Sequence, residues 1–320
     1  MLQVDDVPAP RPPAGDELLV AVRASSVNGT DLGLRRGELR VATLGRLPIV
    51  PGFDVAGEVL ACGPQVTAFA PGDRVMALLG HGGGGAAEQV LLRQSRAARV
   101  PAGLSDEQAA ALPLAGLTAL QALYGAGGLW GRGRPARVLV LGAAGGIGAY
   151  AVQLAHLAGA HVTGTARAVQ QPFVRGLGVD ALLDHRAQDV ATLGERWDVV
   201  LDCPGRYGLD QLRPALAEDG VLVSTRPLSL DALRGLAPRR LRAAGPHLAG
   251  VMTRARSQDL AHLGALVERG RLVVPLDTVL PVDRAADAHR RAEGDAAGKV
   301  VLQVPAPTRS RVCTERRRPA

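Results

Sequence analysis

The segment that most constrains this chain of 320 residues is Val138-Leu-Val-Leu-Gly142-Ala-Ala-Gly145-Gly146-Ile-Gly148, followed by a helical run and then Val162-Thr-Gly-Thr165-Ala-Arg167. An apolar strand enters a glycine turn, and the turn opens a helix. Such a turn presents helix N-terminal amides to a pyrophosphate, and its glycines let the phosphates approach the main chain. The spacing predicts a dinucleotide-binding turn built from Gly142, Ala143, Gly145, Gly146, Ile147 and Gly148. A tight strand–helix turn without a ligand is the plainer reading of the same glycines.

The next strand ends in Thr165-Ala166-Arg167. NAD-binding chains commonly carry an acid near this position, where it grips a ribose hydroxyl. An arginine instead suits a 2′-phosphate, a charge-assisted contact of roughly 1.5–3 kcal/mol. NADPH is therefore the expected cofactor, with Thr165 and Arg167 as contacts. A surface arginine in an arginine-rich chain is the alternative for Arg167, and a surface histidine for His185, the candidate after the following strand. Gly205 and Ser224 complete the set, at the ends of the next two parallel strands.

Composition narrows the partners. Hydrophobic residues make up 47% of the chain, enough for a full core, but aromatics only 2%. Stacking platforms for nucleic acid need more than that. The formal charge is +7, and much of it lies in residues 305–320, with five arginines against one glutamate. That end reads as a disordered, solvated basic tail. Cys62, Cys203 and Cys313 are odd in number and far apart, so neither a disulfide framework nor a cysteine zinc site is expected. The acidic, proline-rich N-terminus is unlike a signal peptide, and a cytoplasmic location is expected. Val138 to Ala166 carries no formal charge and mimics a membrane span. Glycines, Gln153, His156 and His161 interrupt it, and a strand–turn–helix buried on both faces explains it better. No membrane partner is expected.

Hydrophobic patterning before residue 100 is β-rich, with strands over 17–23, 54–60 and 88–92 and another fed by the turn Pro71-Gly-Asp-Arg-Val75. Helices follow over 105–112, capped by Ser105, and over 117–125. From Ala136 strands (138–141, 161–165, 181–183, 199–202, 221–224) alternate with helices (147–158, 170–177, 209–216), the pattern of a doubly wound parallel sheet. A helix over 259–268 precedes strands over 273–280 and 299–304, read as returning to the first domain. The fold class is thus α/β. The domains are 1–115 (catalytic), 116–260 (nucleotide-binding), 261–304 (return to the catalytic domain) and 305–320 (tail).

Several motifs fall in a familiar order: Ala24-Ser-Ser-Val-Asn28-Gly-Thr-Asp31, Pro51-Gly-Phe-Asp-Val-Ala-Gly57-Glu-Val59, Pro71-Gly-Asp-Arg-Val75, Ala109-Ala-Ala-Leu-Pro-Leu-Ala-Gly-Leu-Thr-Ala119 and Gly298-Lys-Val-Val301. From about Leu2 to Val304 the chain resembles the medium-chain dehydrogenase/reductase superfamily, in its zinc-free quinone oxidoreductase branch related to zeta-crystallin. The glycine spacing also resembles short-chain dehydrogenases, but their Tyr-x-x-x-Lys pair is absent: the only lysine is Lys299, with Asp295 four residues before it. The medium-chain resemblance implies a GroES-like β-rich catalytic domain, split in sequence around a Rossmann domain, an active site in the cleft between them, and a homodimer formed through the nucleotide domain.

Zinc members of the superfamily place cysteine at or beside the position of Asn28, and His-Glu where this chain has Phe53-Asp54. Tetrahedral zinc needs thiolate or imidazole donors, so no metal site is expected. Without a Lewis acid a conjugated acceptor is easier to reduce than a simple ketone, because hydrogen bonds can stabilise the delocalised anion. Asn28 is expected to donate its amide to the substrate carbonyl or the nicotinamide, with a turn asparagine as the alternative. Thr118 resembles the family's threonine beside the nicotinamide ribose, with a helix N-terminal threonine as the alternative. Asp31 is expected to cap a helix over 32–36, and Asp54 to be structural. Leu32-Gly33 stands where many relatives have a tyrosine, Gly85-Ala-Ala-Glu88-Gln89 replaces an aromatic motif, and relatives carry a strand ahead of Leu2 that this chain is expected to lack. The expected activity is NADPH-dependent, zinc-independent reduction of quinones or other α,β-unsaturated carbonyls, the proton coming from water or a ribose hydroxyl. An enoyl-thioester reductase of a polyketide or fatty-acid pathway and a non-catalytic NADPH-binding protein stand as alternatives.

Overall fold

The computed structural model describes residues 2–38, 49–80, 82–130, 134–226 and 245–305. The expectations for Cys313 and for a disordered tail beyond residue 305 lie outside the described residues. Residues 2–13 form no strand.

The first sheet is built from β1 (Glu17–Val27), β2 (Asp54–Cys62), β3 (Arg74–Leu78), β4 (Gln89–Arg93), β5 (Ala97–Arg99), β12 (Leu276–Pro281) and β13 (Lys299–Gln303). Among the described residues its order is β12-β13-β1-β2-β3-β5, with β4 paired to the start of β1. Its pairs are antiparallel except β12 with β13. Alternating apolar residues of β1, such as Leu18, Val20 and Val22, close one core with Val55, Val59 and Val75. The first sheet therefore takes its strands from both sides of the nucleotide-binding segment.

The second sheet comprises β6 (Arg137–Leu141), β7 (His161–Thr165), β8 (Ala181–Leu183), β9 (Trp197–Asp202), β10 (Leu216–Ser224) and β11 (His247–Gly250), in the order β11-β10-β9-β6-β7-β8. All its pairs are parallel. This is the doubly wound order, whose ligand crevice opens at the carboxyl ends of the two strands flanking the reversal, here β6 and β9. Helix α4 (Gly146–Leu157) follows β6 directly. The uncharged run that mimics a membrane span is thus divided among β6, α4 and β7. No helix among the described residues is long and apolar enough to cross a membrane.

Two short helices join the sheets. Ser105 caps α2 (Asp106–Ala111), its Oγ accepting from the Gln108 amide while the Gln108 side chain accepts from the Ser105 amide. Pro113 opens α3 (Pro113–Leu120), where its missing N–H costs nothing. The helix expected over 117–125 therefore starts earlier, and it widens after Leu120 into a π-turn over Gln121–Ala126. The helix expected over 209–216 stops at Leu212, before Pro214, and β10 has begun by Leu216. The strand expected from Val273 starts at Leu276. The short strands β5 and β11 had no sequence signal strong enough to announce them, nor did the polar, arginine-rich helix over Ala285–Glu293.

That last helix carries one buried titratable group. His289 is 1% exposed, and its Nδ1 has no hydrogen-bond partner among the described residues. Burial, and then the nearby Arg35 charge, push its pKa down to about 4. The fold therefore favours neutral imidazole. The stability this confers is intact above about pH 6.5 and is lost as the pH falls through 4. Replacing His289 with leucine is expected to remove about 1–2 kcal/mol of the stability lost on acidification. Urea unfolding at neutral and acidic pH measures it; an unaltered pH dependence would contradict the assignment.

Candidate active site

At the reversal point, the sequence folds as its glycines require. Gly142 adopts φ +74° and turns the chain out of β6. A Cβ on Gly148 would lie 2.2 Å from the Gly142 carbonyl oxygen, so only glycine lets α4 pack this close to the strand. The Gly142 amide donates to Thr165 Oγ1 at 3.0 Å, and the Ala143 amide to the Thr165 carbonyl at 2.9 Å. Thr165 thus pins the turn to β7. Gly145 is the N-cap of α4, no side chain caps the helix, and its first turn holds no acid. Gly145 is exposed and Gly146 and Ile147 half-buried. An accessible helix N-terminus without a competing carboxylate suits the phosphates of a dinucleotide.

Across the crevice, Asp202 ends β9 and accepts from the amides of Gly205 (3.0 Å), Arg206 (2.7 Å) and Tyr207 (2.8 Å). These bonds hold the following loop in shape, with Gly205 at φ +63°. Ser224 ends β10, and its Oγ accepts from the Arg226 amide. Gly205 and Ser224 therefore lie at strand carboxyl ends, as expected. His185 sits in the exposed turn after β8, two strands from the reversal. Arg167, just past β7, is ion-paired with Asp295, and its Nε donates to Gln170.

The first sheet contributes a buried polar cluster. Lys299, the only lysine of the chain, is 2% exposed. Its Nζ donates to Asn28 Oδ1 at 2.5 Å and to the Val27 carbonyl at 3.3 Å, and lies 3.6 Å from Asp54 Oδ2. Burial lowers its pKa, and the Asp54 and Asp31 charges oppose that. Asp54 accepts on Oδ2 from Ser26 Oγ (2.5 Å) and Asn28 Nδ2 (2.9 Å), and on Oδ1 from the Leu114 amide (2.7 Å). Asp31 accepts from the amides of Asn28 and Gly52. Desolvation nonetheless pushes it up to about 6.

Three expectations change here. Asn28 donates to the Ser26 carbonyl as well as to Asp54, so both of its amide hydrogens are engaged internally and neither is offered to a substrate. Asn28, not Asp31, is the N-cap of α1 (Gly29–Arg35), and Asp31 turns inward from its third position. Thr118 lies late in α3, not at its start. Its hydroxyl donates to the Leu114 carbonyl at 2.6 Å and so accepts from Thr253 at 2.6 Å. Because the Leu114 amide is bonded to Asp54, α3 ties the polar cluster to the segment that follows β11.

The two sheets meet at this cluster. The Gly298 amide donates to the Ala144 carbonyl at 2.8 Å, Gly145 and Gly298 form a parallel bridge, and a Cβ on Gly146 would strike the Lys299 stem at 2.8 Å. Residues 298–299 thus rest on the predicted phosphate-binding turn. In the sequence Lys299 stands out only within Gly298-Lys-Val-Val301, and Asp295 only by its spacing from that lysine. A single lysine in an arginine-rich chain was the signal available. A surface hollow lined by Arg196, Asp210 and Glu218 lies at the amino ends of β9 and β10, away from this crevice.

Residues 14–102 match the family model described as alcohol dehydrogenase GroES-like domain, and residues 177–302 the one described as zinc-binding dehydrogenase. The chain is 35% identical over 305 residues to the chloroplast envelope quinone oxidoreductase homolog of Arabidopsis thaliana, covering 93% of this chain and 92% of that one. It is 30% identical to the quinone oxidoreductase structure from Coxiella burnetii, with a TM-score of 0.84 over 95% of both chains. A mycobacterial protein solved in complex with NADPH is 30% identical, with a TM-score of 0.78 over 93% of this chain and 94% of that one. The donors here do not fit zinc. Among the described residues, Asn28 and Asp54 offer an amide and a carboxylate already bonded to protein, with neither thiolate nor imidazole beside them. No cluster of three or more His, Cys, Asp or Glu suited to a metal occurs among the described residues.

The cluster makes a stability prediction. Lys299→Met removes the buried cation and leaves Asn28 Oδ1 and Asp54 without it, which is expected to cost about 3–5 kcal/mol. Lys299→Met/Asp54→Asn should cost less than the sum of the single changes. Denaturant unfolding of the set tests this, and a single-variant loss below about 1 kcal/mol would refute the coupling.

Proposed function

This chain belongs to the medium-chain dehydrogenase/reductase superfamily, in its quinone oxidoreductase-like branch, and from that premise we propose that it is an NADPH-dependent, zinc-independent reductase of quinones and other α,β-unsaturated carbonyls. One observation carries the reading: an uncapped, acid-free helix N-terminus stands at the sheet reversal, with Arg167 at the end of the neighbouring strand. The names of the relatives, quinone oxidoreductases and a protein solved with NADPH, support it.

In this reading the amides of Gly146, Ile147 and Gly148 hold the pyrophosphate, and Arg167 holds the 2′-phosphate. NADPH, when bound, supplies a hydride. Thr165 keeps the turn in register with β7 and so sets where those amides point. Lys299 and Asn28 do not meet the substrate. They fix β13 against the turn and thereby the width of the cleft. The Thr118 hydroxyl is buried and bonded to the Leu114 carbonyl, so in this reading Thr253, the less buried partner of the pair, turns its hydrogen from Thr118 to a bound ribose or carbonyl. A conjugated acceptor suits such a site: hydride addition yields a delocalised anion that modest hydrogen bonds stabilise, and a proton from solvent completes the reduction.

The test is NADPH oxidation by the purified protein with an ortho-quinone in chelator-containing buffer, alongside NADH. Turnover is expected to persist in chelator and to favour NADPH. Arg167→Ala should lower the ratio of kcat/KM for NADPH over NADH about tenfold. Activity that requires added zinc, or an unchanged ratio, would defeat the proposal.

A further inference from the structure

Arg167 is not free to receive a phosphate. Its guanidinium is ion-paired with Asp295, which belongs to the segment leading from the last helix to β13 and hence to the other sheet. The same segment is tied down at two more points. Gln170 donates from Nε2 to the Ala296 carbonyl at 3.0 Å, and the Gly298 amide donates to Ala144 of the glycine turn at 2.8 Å. Residues 295–298 therefore lie along the second sheet from the end of β7 to the start of α4. These are the two places where the nucleotide reading puts the 2′-phosphate and the pyrophosphate.

We infer that Asp295 is a specificity-determining residue, a carboxylate from the catalytic domain that occupies the arginine a 2′-phosphate must claim. The inference rests on the nucleotide reading above and goes beyond it. A sequence reading sees an arginine without an acid on its own strand and expects NADPH preference. The fold supplies the missing acid from 128 residues away. The two partners are unequally held. The Arg167 side chain is 19% exposed and braced by Gln170, whereas the Asp295 side chain is 64% exposed. On exchange the arginine stays and the aspartate swings out. A phosphate monoester carries about −1.5 to −2 charges, against one on the carboxylate, and wins the guanidinium at the cost of the existing pair. Asp295 also feels the Arg186 and Arg291 charges, so once displaced it remains in a positive field. Nucleotides without the 2′-phosphate leave the pair intact. The residue thus narrows the preference that Arg167 alone would give.

Calorimetric titration of the full-length protein with NADP+ and NAD+ tests this. In Asp295→Asn the affinity for NADP+ relative to NAD+ is expected to rise about two- to fivefold, the range for an exposed ion pair. Asp295→Glu, which retains the charge, should stay near the original ratio. If both nucleotides bind and Asp295→Asn leaves the ratio unchanged, the inference falls and the nucleotide reading stands. If Asp295→Asn instead weakens NAD+ selectively, the carboxylate grips the ribose hydroxyl and the inference is overturned in that direction. If the unaltered protein binds neither nucleotide, the reading of the crevice fails and takes the inference with it.

Discussion

Taking a lysine ammonium out of water costs several kcal/mol unless protein oxygens replace the lost hydration. Lys299 regains them from Val27 and Asp54 on the first sheet and from Asn28 just beyond β1, while its methylene stem covers Gly146 at the start of α4. The ammonium fixes where β13 begins, and the stem fixes how closely the glycine turn approaches it. Asp54 extends the same network through Leu114 into α3, and Thr118 carries it to Thr253. A side chain that cannot leave its oxygens, pressed on a turn that cannot accept a Cβ, sets the relation between the two sheets.

Much of this order was legible in the chain itself. Alternating apolar patterns located the strands, and the run from Val138 to Arg167 specified strand, turn, helix and strand because glycine spacing has few other solutions. Every candidate from Gly142 to Gly148 falls on the turn or in the first turn of α4. Residues whose function depends on distant partners were harder to read. Asn28 looked like a donor awaiting substrate, because nothing local revealed that Ser26 and Asp54 take both of its hydrogens. Arg167 looked unopposed, because its acid lies on another domain. Local sequence reports turns, caps and periodicity. Pairing across more than a hundred residues is decided by topology, and a single sequence does not display it.

The same distinction separates the cluster's appearance from its chemistry. Two carboxylates, a lysine and an asparagine within one buried site resemble an acid–base centre. Here their bonds are spent on one another and on the backbone amides of Leu114 and Gly52. What remains unspent is the N-terminus of α4, which no side chain caps and no acid opposes. That inventory favours holding a reactive partner in place over performing proton chemistry on it.

The order of strands in the first sheet carries a consequence for synthesis. β13 lies between β12 and β1, yet Val27 and Lys299 are separated by 272 residues. As the chain leaves the ribosome, the second half of β1 has no partner on that side until the whole nucleotide sheet has been made. Ser25, Ser26 and Val27 then present an open edge, beside a buried aspartate whose cation has not yet arrived. Unpaired edges of this kind invite pairing with other chains. Nascent chains should be most vulnerable to aggregation late in translation, after the second domain has formed and before the final strand closes the first.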